Sequence, residues 1–196
     1  MRIDFNFEPD DPDLQPFRDA WLQQCERRRD RPLGALAARA LSAQAAIPLD
    51  APAACRDRLA AIPDLVALLI DPGWPLPSHE HARLSGALAY FCERMDLIPD
   101  DASHFGLLDD AIVLAMALSD CAETWCDWRE YRAWREACPE AGPLDRRQWH
   151  ATRDALLRDA LRRARLASYL ATPSRGRYAP AGAALDFPEA VQFGLH

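Results

Sequence analysis

The chain has 196 residues, 49% apolar and 27% charged, which suits one domain with a buried core and a tail. Its 30 acidic residues outnumber 23 basic ones, all of them arginine, for a net charge of −7, a balance that argues against a general nucleic-acid binder. The 36 alanines, only 8 glycines and few alternating apolar runs argue for helix over a sandwich or barrel.

Ile3, Phe5 and Phe7 alternate with polar residues and predict a short N-terminal β-strand. A lone strand is not stable, and the stretch from Leu185 to Phe193 is its one late candidate partner. Asp13 is expected to cap a first helix with Leu14, Phe17, Trp21, Leu22 and Cys25 on its buried stripe. That helix ends in the charge run Glu26–Arg31, whose arginines suit the negative C-terminal pole. Pro32 opens a second helix reaching about Ala46. Pro52 opens a third, which Pro63 interrupts or restarts. Asp71–Pro77 holds three prolines and reads as a rigid connector.

Ser78 is expected to cap a fourth helix reaching about Arg94, with Leu84, Leu88, Phe91, Cys92 and Met95 as its apolar positions. A fifth helix is predicted from Leu107 to about Ala137. Leu108, Ile112, Ala115, Ser119, Ala122 and Cys126 share one of its faces. Ala111–Leu118 is apolar all round, which places this helix at the centre. Ala141-Gly142-Pro143 breaks the chain. Asp145 then caps a sixth helix to about Leu170, and residues 171–196 read as a tail rich in Pro, Gly, Ser and Ala. The expected architecture is an all-α bundle of about six helices over residues 1–170, with the 78–118 hairpin and the sixth helix at its core.

The N-terminus lacks the apolar stretch of a signal peptide. The longest apolar runs, Leu65–Ile70 and Ala111–Leu118, are far shorter than the roughly 20 residues a membrane span needs. A cytoplasmic protein without integral membrane insertion is therefore expected. The six cysteines form no C-x-x-C pair and read as small buried residues with free thiols. No P-loop, G-x-S-x-G or G-x-G-x-x-G occurs, and no catalytic residues are assigned.

One stretch has family character. Asp96-Leu97-Ile98-Pro99-Asp100 is followed by Gly106-Leu107-Leu108-Asp109-Asp110, between apolar helical segments. This arrangement resembles the YkvA-like family, a bacterial domain of unknown function, over about Ser78–Leu118. The resemblance implies a helical hairpin and carries no activity with it.

Residue chemistry gives the motif a structural role of its own. Ile98 precedes proline and leaves the helical region. Pro99, Asp100 and Asp101 are turn formers, and Gly106 allows a positive φ or close backbone approach. Asp109 and Asp110 fall in the first turn of a helix, where carboxylates meet unpaired N–H groups. The motif thus reads first as a well-capped turn between buried helices. The alternative is a divalent-metal site. Asp96, Asp100, Asp109 and Asp110 with His104 offer oxygen and nitrogen donors, with no arginine between residues 96 and 110. No cofactor is expected on the first reading, and a divalent cation on the second.

The last predicted helix separates its charges. Trp149, Leu156, Ala160, Ala164 and Ala167 share one face, and Arg147, Arg158, Arg162 and Arg165 the opposite one. Residues 145–170 carry a net +4, leaving −11 for the rest. Trp125, Trp128 and Trp134 alternate with Arg129, Arg132 and Arg135, but Asp127, Glu130 and Glu136 among them favour ion pairs over nucleic-acid contact. The leading expectation is a non-enzymatic module that binds another protein through the arginine face. A metal-binding protein or metal-dependent enzyme, and a peripheral membrane protein, are the alternatives.

Overall fold

The computed structural model describes residues 11–28, 32–93, 97 and 106–171. The expected N-terminal strand and the tail after residue 171 lie outside these residues. Among them there are eight α-helices and no strand. The helices are α1 (Gln15–Arg28), α2 (Leu33–Ala45), α3 (Ala53–Leu59), α4 (Ile62–Ile70), α5 (Ser78–Cys92), α6 (Leu108–Asp120), α7 (Ala122–Ala137) and α8 (Arg146–Ala171). The described residues are all-α, with helices packed into a bundle. The chain divides into two compact units, residues 1–146 and 147–196.

Prolines set several helix starts. Pro32, Pro52 and Pro77 each stand immediately before a helix, and Pro63 sits in the first turn of α4. There a missing N–H costs nothing, because the first turn has no intrahelical acceptor for it. Two expected caps move by a residue or two. The side chain of Asp11, not Asp13, accepts a backbone N–H, that of Asp13 at 2.9 Å, and begins a short 3-10 turn before α1. Ser78 is the first residue of α5 and makes no side-chain cap.

The predicted fifth helix is two helices. Cys121 leaves helical geometry at φ −111° and ψ 27°, ending α6 and starting α7. The expected common face fails past that point. Ile112 and Ala115 are buried, whereas Ser119, Ala122 and Cys126 are exposed. A periodicity drawn through the break joins two helices that bury different sides. In α1, Leu14, Trp21 and Cys25 are buried as expected, while Leu22 is exposed and Gln24 takes a buried place. All six cysteines are free, and three of them, Cys25, Cys55 and Cys121, are buried. Cys126 is exposed, Cys92 and Cys138 partly so.

Helices α1, α5 and α6 form the centre of the first unit, with α2, α3 and α4 around them. The α1–α5 pairing is the most extensive. Trp21 Nε1 donates to the Arg83 carbonyl at 2.9 Å, and Gln24 Nε2 donates to Glu93 Oε2 at 2.9 Å. Between these anchors the helices meet at Gly86. A Cβ there would lie 2.4 Å from Cys25 Sγ and 3.0 Å from the Cys25 Cα and N atoms. Only glycine lets the two backbones approach so closely.

Helix α7 closes over the 71–77 connector. Trp74 is buried and stacks on Tyr131 with centroids 5.2 Å apart. Trp128 Nε1 donates to Asp71 Oδ2 at 3.2 Å, and the Tyr131 hydroxyl accepts from the Leu144 N–H at 3.0 Å. Two arginines of α7 join this network. Arg132 pairs with Asp64 and lies over the Trp128 ring, and Arg129 lies over Trp125. Arg146, the last residue of the first unit, lies 3.7 Å from Asp127 and covers the Trp74 ring. At Gly142 a positive φ of 69° turns the chain after α7.

The sixth predicted helix corresponds to α8, which starts directly after Asp145. Trp149, near its start and on the expected apolar face, is buried, whereas Leu156, Leu157, Leu161 and Leu166 are 45%, 42%, 46% and 61% exposed.

Candidate functional site

The motif hairpin is held at both ends. At one end Arg83 of α5 pairs with Asp120 of α6 at 2.5 Å. At the other, the Tyr90 hydroxyl donates to Asp109 Oδ2 at 2.8 Å. The start of α5 therefore meets the end of α6, and the two helices run antiparallel. The Tyr90 hydroxyl also accepts from the Leu97 N–H at 3.2 Å, which ties the motif segment to the end of α5.

Asp109 and Asp110 occupy the first turn of α6, as the turn reading expects. They are buried, at 0% and 4% exposure, rather than solvent-facing caps. Burial makes the Tyr90–Asp109 bond more consequential, because a buried carboxylate deprived of a donor loses its hydration without replacement. Tyr90 was not singled out in the sequence. Its one visible signal is its place at the end of an apolar helix, where a phenol can bury its ring and still donate.

Electrostatics follow from this burial. Burial first, and then the bond to Asp109, push the Tyr90 phenol well above its usual range, against the opposing Leu97 N–H. The Cys55 thiol is raised by burial and then by the Asp110 and Asp109 carboxylates. Burial pushes Cys92 up to about 11, with Arg39 opposing and Asp110 adding to the rise. The guanidinium of Arg39 also donates to the Cys92 carbonyl and fastens α2 to the end of α5.

Asp96, Pro99, Asp100 and His104 lie outside the described residues, so the five expected metal donors are represented here by Asp109 and Asp110. Among the described residues no group of three or more His, Cys, Asp or Glu side chains is placed to hold a metal ion. Gly106 is buried next to α6. With Leu107 and Asp110 it lines a cavity of about 600 Å³, opposite the chain between α2 and α3.

The second candidate surface is α8. Arg147, Arg158, Arg162 and Arg165 are all exposed. An ion pair of 2.7 Å between Arg163 and Asp159 lies along the same helix. At 100° per residue, Leu157 and Leu161 border the sector of Arg147, Arg158 and Arg165. An exposed apolar band thus runs beside a basic one. Among the described residues no helix is long and apolar enough to cross a membrane.

Residues 82–116 match the family model described as a protein of unknown function, DUF1232. No curated protein and no solved structure matches the chain. The match begins inside α5 and ends inside α6, so it takes in the Tyr90–Asp109 bond and both halves of the motif. The antiparallel α5–α6 hairpin is thus the part of this chain that is similar to the DUF1232 family, in line with the YkvA-like resemblance of the motif.

Proposed function

We propose that this protein is a non-enzymatic cytosolic binding module whose α8 engages an acidic protein partner. The observation that carries the reading is the surface of α8, where exposed Leu157 and Leu161 accompany exposed Arg147, Arg158, Arg162 and Arg165. An amphipathic helix docks by laying apolar anchors at helical spacing into a groove. Arginines beside those anchors steer it to a groove with a negative rim. The leucines favour a protein groove over nucleic acid, which is bound by phosphate contacts and aromatic stacking.

The reading is tested by affinity capture from the native cell at low and high salt. The parent is compared with an Arg158→Gln/Arg162→Gln/Arg165→Gln variant and with a Leu157→Asp/Leu161→Asp variant. The expected result is an acidic protein recovered by the parent, lost with both variants and weakened by salt. Recovery of the same proteins by all three would overturn the reading. Recovery only of nucleic acid would do so equally.

A further inference from the structure

Over residues 157–165, α8 presents two leucines and three arginines on one side. Leu157, Arg158, Leu161, Arg162 and Arg165 are all exposed, and at 100° per residue they fall within a sector of about 140°. Asp159 lies outside that sector and pairs with Arg163. Asp154 shares the sector but stands one turn before Arg158. The strip is therefore apolar along one edge and positively charged along the other. The same chain carries a sequence of complementary chemistry. Residues 178–196 contain two acidic residues, Asp186 and Glu189, and no arginine or lysine. Leu185, Phe187, Val191 and Phe193 stand among and beside them.

We propose that residues 185–195 dock on the 157–165 face of α8 within the same chain. The apolar side chains of the tail cover Leu157 and Leu161, and Asp186 and Glu189 meet the arginines. Three considerations select this occupant. Exposed ion pairs contribute only about 0–1 kcal/mol each, so a lasting contact needs the apolar residues that the tail supplies together with its acids. The reach is sufficient. Fourteen residues separate Leu185 from Ala171, the last described residue, and extend to about 46–50 Å, whereas the strip lies roughly 9–21 Å back along α8. A tether of that length also favours the chain's own tail over the tail of a second copy, because the local concentration of a linked segment exceeds that of a free one. The face of a second α8 carries the same positive charge and is repelled. One consequence, that an acidic partner must displace the tail, rests on the reading of α8 given above, and the docking itself does not.

The test is photo-crosslinking of the full chain carrying Phe193→p-benzoylphenylalanine, with the products mapped by mass spectrometry. An equal mixture of isotope-labelled and unlabelled chains separates cross-links within a chain from those between copies. Two further variants are made in that background, Asp186→Arg/Glu189→Arg on the tail and Leu157→Asp/Leu161→Asp on α8. The expected result is cross-linking within the chain to residues 157–165, reduced severalfold in each variant and by high salt, which screens the exposed charges. The proposal is overturned if cross-links to α8 do not form, if they join two copies, if they lead to residues 11–146 instead, or if either variant cross-links like the parent. The tail variant alters no residue of α8, so it decides the matter should the leucine variant fail to fold. No partner protein enters this experiment. A negative result therefore strikes the tail and not the reading of α8, and an empty affinity capture strikes that reading and not the tail.

Discussion

Ten consecutive residues of α6, Asp109 to Leu118, are buried, whereas in α8, a helix twice as long, four leucines remain between 42% and 61% exposed. Both segments favour helix by propensity, so propensity does not separate them. The distribution of apolar residues does. Ala111–Leu118 has no polar side, and such a helix is stable only with neighbours all round. Along α8 the leucines are spaced among arginines, so the same kind of residue is left at the surface. A leucine therefore has different roles in the two helices. In α6 it supports the fold, and in α8 it is available for contact.

The sharpest way to break this contrast is to make one substitution in both helices. Leu114→Ala should cost about 2–5 kcal/mol, the range for truncating a buried leucine. Leu161→Ala should stay within about 0.5 kcal/mol, as surface changes do. Urea unfolding of the two variants measures both, and equal losses would abolish the distinction.

Next in size is Gly86→Ala, at the crossing of α1 and α5. Alanine favours helix over glycine by about 1 kcal/mol. Here the added Cβ meets backbone atoms of Cys25 at 3.0 Å, which cannot swing aside as a side-chain tip would. Overpacking of this kind costs about 1–3 kcal/mol. A net fall in stability is expected, and a gain would show that α1 can retreat from α5 without penalty.

Tyr90→Phe keeps the ring in place and removes the donor to Asp109. A loss of about 1–3 kcal/mol is expected, the cost of leaving a buried polar group without that donor. Stability equal to that of the parent would make the bond dispensable to the hairpin.

A pH titration sharpens the same picture. The thiols of Cys25, Cys92 and Cys121 are each pushed by burial from 9.0 to about 11, and the Tyr90 phenol is raised as well. In the unfolded chain these groups ionise first and release protons that the folded protein still holds. Their contribution is therefore intact below pH 9 and declines as pH rises toward 11. Tm should fall steadily across that window, and less so in a Cys25→Ser/Cys121→Ser variant. A flat profile from pH 9 to 11 would contradict the burial assigned to these thiols.

The smallest effect is expected in α8. The Arg158→Gln/Arg162→Gln/Arg165→Gln variant should unfold within about 0.5 kcal/mol of the parent, because all three side chains are exposed. A larger loss would place these arginines among the groups that hold the fold together, and α8 would cease to differ from α6.

Much of the helix layout was legible because its causes are local. Proline restricts its own φ and that of its predecessor, so Pro32, Pro52 and Pro63 mark helix starts whatever surrounds them. The buried run of α6 and the family motif were legible for a similar reason, since each is a pattern of adjacent residues. The tertiary structure decided the rest. Cys121 ends a helix although nothing in its neighbours forbids continuing, and that break undoes the periodicity projected through it. Gly86 matters because Cys25, 61 positions away, lies against it. Tyr90 and Asp109 find each other only because α5 and α6 run antiparallel. The cavity likewise depends on the connection between α2 and α3 facing the start of α6. Backbone restriction acts within a few residues and can be read along the chain. Burial, close approach and the pairing of polar groups depend on which distant segments meet, and that is settled only when the helices pack.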